Sequence, residues 1–191
     1  MDKKFINLPN TYKQLLNEIP NLLNKDDIEQ LISNKISFDR LNQLHKNIND
    51  KMKELDCNQY DLNKLIHSYN KKNNKISFLK KIANLRNKHI VYNCSKSNLW
   101  KDNLRTLQKK LQPIFKKKIS KKLIEESFFY LMKKYKYDWG GLWSIMDYNK
   151  NGIVNSINIF DVDDFDIIVS YIGDKTDWNL KDDSYLRLKK K

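Results

Sequence analysis

Apolar residues recur at three- and four-residue steps through the first 137 positions, the spacing of one helical face. The longest stripe runs Phe38, Leu41, Leu44, Ile48, Met52 and Leu55, with Ser37 placed to cap it. Upstream, Asn10-Thr11 opens a helix through about Glu18 that Pro20 is expected to end, and Asp26-Asp27 opens a short one carrying Ile28, Leu31 and Ile32. Downstream, Asp61 to about Tyr69 places Leu62, Leu65, Ile66 and Tyr69 on one side, and a fifth helix spans about Lys75 to Val91. The pattern resumes near Asn98, is kinked or broken near Pro113, and continues through Phe128, Phe129, Leu131 and Met132.

The fifth helix departs from the simple pattern. Its apolar stripe, Leu79 and Ile82, is continued at the same spacing by Arg86 and His89, which puts polar side chains toward the bundle. After Tyr137 the texture changes: Trp139, Gly140-Gly141, Trp143 and Asn151-Gly152 mark a break, and Ile153 to Phe160 reads as a strand behind an Asn-Gly turn. The expectation is a mainly α protein, a helical bundle over residues 1–137 followed by a small mixed acidic segment over 138–191. Whether that segment packs on the bundle is left open.

Charge sharpens this division. Between Lys64 and Lys122 stand eighteen Lys or Arg and one acid, Asp102, a net of +17 in a chain whose total is +14. An AT-rich genome would raise Lys, Asn and Ile together, but would not remove acids from one stretch alone. Such a block points to a polyanionic partner, and nucleic acid fits best. From Asp161 to Asp183 eight acids face two lysines. That run reads first as a helix N-terminus or solvated loop, and second as a cover for the basic surface or a mimic of its ligand.

With 40% apolar residues the chain carries enough to build a core. Cys57 and Cys94 form no framework and fit a reducing compartment. No signal-peptide core and no membrane-spanning run is evident, so the expected setting is cytoplasmic, with no membrane partner. No cofactor is expected, because no phosphate-binding glycine loop occurs. No metal is expected either. Asp147 to Asn155 follows the opening of an EF-hand loop, but Asn158 stands where a bidentate Glu belongs, so an ordinary Asn-Gly turn is the better reading. His45 and His67 read as ordinary, partly exposed residues.

Leu85-Arg86-Asn87-Lys88-His89-Ile90-Val91-Tyr92-Asn93 resembles the Arg-Asn-x-x-x-x-His signature of HEPN domains, in the form of their abortive-infection branch. The resemblance implies an all-helical, usually dimeric bundle in which two motifs meet and cleave RNA without metal. By position, Arg86 and Asn87 match the family's Arg and polar residue, and Tyr92 falls where its catalytic His is expected. That departure matters. A histidine near pKa ~6.5 exchanges protons at neutral pH, and a tyrosine near ~10 does not unless strongly perturbed. In this picture Arg86 holds the scissile phosphate, Asn87 orients, and His89 or Tyr92 transfers the proton. Lys71, Lys72, Lys80, Lys81, Lys88, Lys109 and Lys110 supply backbone contacts. The implied role is an RNA-binding toxin or abortive-infection effector, acting as a homodimer. Two alternatives need no intact motif: a non-enzymatic nucleic-acid-binding or phage–host conflict inhibitor protein, and a module that docks on an acidic protein.

Overall fold

The computed structural model describes residues 9–68, 74–140, 146–148, 154–157 and 162–191. The protein is mainly α, as expected. Among the described residues, helices α1 (Asn10–Leu22), α2 (Lys25–Ser33), α3 (Phe38–Glu54), α4 (Gln59–Ser68), α5 (Asn74–Ser95), α6 (Asn98–Leu111), α7 (Lys121–Lys134) and α8 (Val162–Lys175) are followed by a single turn, α9 (Leu186–Lys189). Strands β1 (Met146–Tyr148) and β2 (Val154–Ile157) pair antiparallel, with Met146 opposite Ile157 and Asp147 opposite Ser156. No helix among the described residues is long and apolar enough to cross a membrane.

Packing divides the chain into two compact units. The first comprises residues 1–89 with 136–141, the second 90–135 with 142–191. These units are drawn by packing, whereas a boundary at 137/138 is drawn by composition. Helix α5 contributes to both.

Local chemistry explains the helix ends of the first unit. Asn24 and Asp27 form a reciprocal capping box on α2: the Asp27 N–H donates to Asn24 Oδ1 at 2.7 Å and the Asn24 N–H to Asp27 Oδ2 at 3.0 Å. Ser37 caps α3 by accepting from the Arg40 N–H, as its position predicts. Pro20 does not end α1, which runs on to Leu22. A proline one turn from a C-terminus removes a single ladder hydrogen bond, which the buried Leu15, Leu16 and Ile19 offset. Ile32, expected on an apolar face, is 63% exposed, because only Leu31 of that turn reaches the core. The core gathers Leu15, Ile19, Leu41, Leu44, Ile48, Leu62, Ile66, Leu79, Ile82 and Trp139. Asp27, nearly buried, takes two 2.7 Å hydrogen bonds from the Arg40 guanidinium, which hold its carboxyl below the usual range.

In the second unit α6 and α7 are separated near Pro113, as the sequence suggests, and each starts on a serine cap, Ser97 and Ser120. Trp100 packs edge-on to Phe128 with ring centroids 4.8 Å apart, and its Nε1–H donates to Glu125 Oε1 at 3.1 Å. Ile124, Leu131 and Met132 of α7 are buried, as are Ile168, Val169 and Ile172 of α8. The acidic run does begin a helix, with Asp163 and Asp164 in the first turn of α8, where carboxylates complement the helix dipole. Asp147 lies in β1, and residues 149–153 of the motif that begins there lie outside the described residues.

Candidate nucleic-acid interface and the Arg86 motif

Helix α3 carries two adjacent stripes. Beside the apolar one, Asn42, His45 and Asn49 continue from Phe38 at steps of three or four residues, and the Phe38–Asn42 end meets the motif helix. Arg86 Nε donates to Asn42 Oδ1 at 2.9 Å, and the His89 ring lies 5.4 Å from that of Phe38. The two helices therefore pass antiparallel here, which brings Arg86 and His89 of α5 onto one side of α3.

The turn at 136–140 is locked into the same unit. Asn87, 4% exposed, donates from Nδ2 to the carbonyls of Asp138 at 3.1 Å and Lys136 at 3.3 Å. Trp139, 1% exposed, donates its indole N–H to Asn49 Oδ1 and its backbone N–H to Asn63 Oδ1, both at 2.7 Å. His45 stacks on the Trp139 ring at 4.6 Å and its Nε2 lies 2.7 Å from the Trp139 carbonyl. Nε2 must therefore carry the proton and donate, leaving Nδ1 to accept from Asn49 Nδ2 at 3.3 Å. Burial, reinforced by the Arg86 charge, pushes the His45 pKa down to about 4, so the ring is neutral at neutral pH. Burial likewise raises the Asp138 carboxyl, although Asn63 and the Gly140 N–H donate to it.

The four motif residues thus occupy different surroundings. Asn87 is a buried clamp, Arg86 is engaged by α3, and His89 is half-buried against Phe38. Tyr92 belongs to the second unit and is 56% exposed, with the Lys96 ammonium against its ring and hydroxyl. His45 is partly exposed, as expected, but its ring is stacked on Trp139 and both ring nitrogens are hydrogen-bonded. Reasoning from the sequence missed it, together with Asn42, Asn49 and Trp139. The signal was present as a second row beside the apolar stripe of α3.

The basic residues divide in the same way. In the first unit Lys75 Nζ donates to Asn17 Oδ1 at 2.9 Å, Lys81 Nζ to the Ile32 carbonyl at 3.1 Å, and Lys80 sits 4.5 Å over the Tyr137 ring. Lys88 is exposed, and Lys71 and Lys72 lie outside the described residues. In the second unit Lys101, Arg105 and Lys109 form a row of four-residue steps along α6, all exposed, and Lys110 is exposed beside them. Arg105 meets Asp102 only at 3.5 Å, with both side chains about two-thirds exposed. Lys116, Lys117, Lys118, Lys121 and Lys122, which the sequence reading does not single out, are exposed as well.

Asp164, Asp166, Asp174 and Asp182 of the acidic segment have partners outside the basic stretch. Asp164, 1% exposed, accepts from the Tyr135 hydroxyl with Lys134 Nζ at 3.7 Å, and Asp166 pairs with Arg187 at 3.1 Å. Asp174 accepts from the Trp178 indole at 2.9 Å, and Asp182 caps the turn at Asp183–Tyr185. No three His, Cys, Asp or Glu gather as a metal site among the described residues. Comparison with known protein families, curated proteins and solved structures finds no match.

Proposed function

We propose that this protein binds RNA through the exposed cations of its second unit, and that the Arg86 motif serves the fold rather than catalysis. The observation that carries the reading is the α6 row of Lys101, Arg105 and Lys109. It stands exposed, while Asp164, Asp166, Asp174 and Asp182 are engaged elsewhere. Ammonium and guanidinium groups in water bind phosphate by releasing counterions, which yields affinity without a shaped pocket. Catalysis would need a proton-transferring group beside a phosphate-holding cation. Arg86 has its Nε on Asn42, Asn87 holds two carbonyls, and His45 is held neutral by its packing.

The test is direct. The full chain is titrated into fluorescein-labelled 20-nucleotide RNA, followed by anisotropy across a KCl series. Products are separated after prolonged incubation in chelator. Binding with a steep negative log-affinity against log-salt slope, and intact RNA, is the expected result. A flat salt response would remove nucleic acid as the partner and favour an acidic protein. Cleavage abolished by Arg86→Ala would restore the motif as an active site.

A further inference from the structure

We propose that residues 116–122 of the second unit are a preorganised strap that grips the phosphodiester backbone without reading base sequence; this rests on the RNA-binding reading above. Between residues 114 and 122 the exposed side chains are five lysines and Ser120, while Ile114, Phe115 and Ile119 are buried anchors. The Lys122 side chain is 86% exposed, and Glu126 reaches it only at 4.0 Å.

The backbone beneath these charges is tied from two sides. Gln112 Nε2 donates to the Lys117 carbonyl at 3.1 Å, and its Oε1 accepts from the Ile119 N–H at 3.0 Å. Gln108 Nε2 donates to the Ile119 carbonyl at 2.9 Å. On the other side the Lys116 N–H donates to the Asn179 carbonyl at 2.9 Å and the Lys181 N–H to the Ile114 carbonyl at 2.6 Å, around an antiparallel bridge of Phe115 with Leu180. A lysine run produced by codon bias has no need of such fixing.

Placement argues the same way. Lys121 and Lys122 occupy the first turn of α7, where the helix dipole disfavours cations, and that turn holds no acid. Five like charges on a fixed backbone repel one another, and a polyanion relieves that repulsion. Fixing the backbone beforehand also removes part of the ordering cost of binding. Beside the lysines, both glutamine amides hold the strap, and Ser120 Oγ accepts from the Leu123 N–H at 3.1 Å. Ammonium groups alone contact phosphate as point charges and carry no sequence information.

The experiment uses the full chain with fluorescein-labelled oligo(U) and oligo(A) of 20 nucleotides. One variant carries Lys116→Gln, Lys117→Gln, Lys118→Gln, Lys121→Gln and Lys122→Gln. A charge-matched control carries Gln at the exposed Lys13, Lys25, Lys35, Lys46 and Lys53. The wild type should bind both oligomers within about threefold. The strap variant should bind at least tenfold more weakly at 0.1 M KCl, with a salt slope shallower by roughly 0.7 for each phosphate left without its cation. The control should weaken less than threefold. Gln112→Ala, which keeps every lysine, should weaken binding severalfold by loosening the strap, and circular dichroism verifies that each variant is folded. Equal weakening in strap and control variants would overturn the strap while leaving RNA binding standing. So would a preference above tenfold between oligomers that the strap variant abolishes. A wild type that binds neither oligomer overturns the RNA reading itself.

Discussion

In the first unit Lys75, Lys81 and Arg86 each end on an oxygen of a neighbouring segment, whereas in the second Lys101, Arg105, Lys109 and the strap lysines are exposed, with Arg105 at 3.5 Å from Asp102 and Lys122 at 4.0 Å from Glu126 on their own helices. Both groups come from one +17 stretch that looks uniform along the chain. What separates them is the acceptor supply. Asn17, Asn42 and the Ile32 carbonyl at the end of α2 lie within reach of α5, and each gives a cation an acceptor within the protein. Along α6 the acid that meets Arg105 is the exposed Asp102, and that pairing in water is worth little. Charge density in a sequence therefore overstates the area that can meet a partner.

The largest effect should come from breaking the inward set at its anchor. Trp139→Ala removes a buried indole, its stack on His45 and its hydrogen bond to Asn49. A loss of about 3–5 kcal/mol is expected. Asn87→Ala strands two carbonyls and should cost about 2–3 kcal/mol. Hydrogen exchange over α3 and residues 136–140 measures both. Protection unchanged in Asn87→Ala would mean that the residue is not a clamp and would return it to the candidate active site.

The helical order of the fold was legible because buried Leu41, Leu44, Ile48 and Met52 keep a strict helical step, and because Ser37 is a capping residue type at the head of that stripe, whereas the caps at Asn24, Ser97 and Ser120 came only from the structure. The site was less so. Helical spacing does place Arg86 and His89 toward the bundle, but the groups that receive them, Asn42 and Phe38, lie more than forty positions away. No local pattern announces that Asn87 will hold a turn at 136–138. The strap is hidden for a different reason: a lysine run looks the same in sequence whether its backbone is loose or, as here, tied down by Gln108 and Gln112. Pro20 illustrates a local rule outweighed by burial nearby.

A second way to break the comparison is acid. His45 has a folded pKa of about 4 against ~6.5 when unfolded, so the unfolded chain takes up the proton first as pH falls. Its contribution is complete above pH 6.5 and is lost progressively down to about 4, at no more than about 1.4 kcal/mol per pH unit. Asp138, whose folded pKa is raised, acts in the opposite sense, gaining stability as it protonates. Asp27, whose folded pKa is lowered, loses stability only below the ordinary carboxylate range. His45→Gln isolates the first contribution. Exchange protection in α3 should fall between pH 7 and pH 5 in the wild type and stay level in the variant. The same fall in both would place the acid sensitivity elsewhere.

The outward set should show the smallest effect on stability. Lys101, Arg105 and Lys109 share one face of α6, opposite the buried Leu107 and Leu111, and their charged ends touch little protein. Replacing all three with Gln retains helix propensity and removes mutual repulsion, so stability should stay within about 0.5 kcal/mol of wild type. RNA affinity should nevertheless fall severalfold, with a salt slope shallower by roughly 0.7 for each phosphate no longer met by a cation. The matching inward variant, Lys75→Gln with Lys81→Gln, should invert this, losing protection over α5 with little change in slope. If the two variants shift the salt slope equally, an acceptor nearby does not decide which cations reach the partner, and the contrast between the units has no functional meaning.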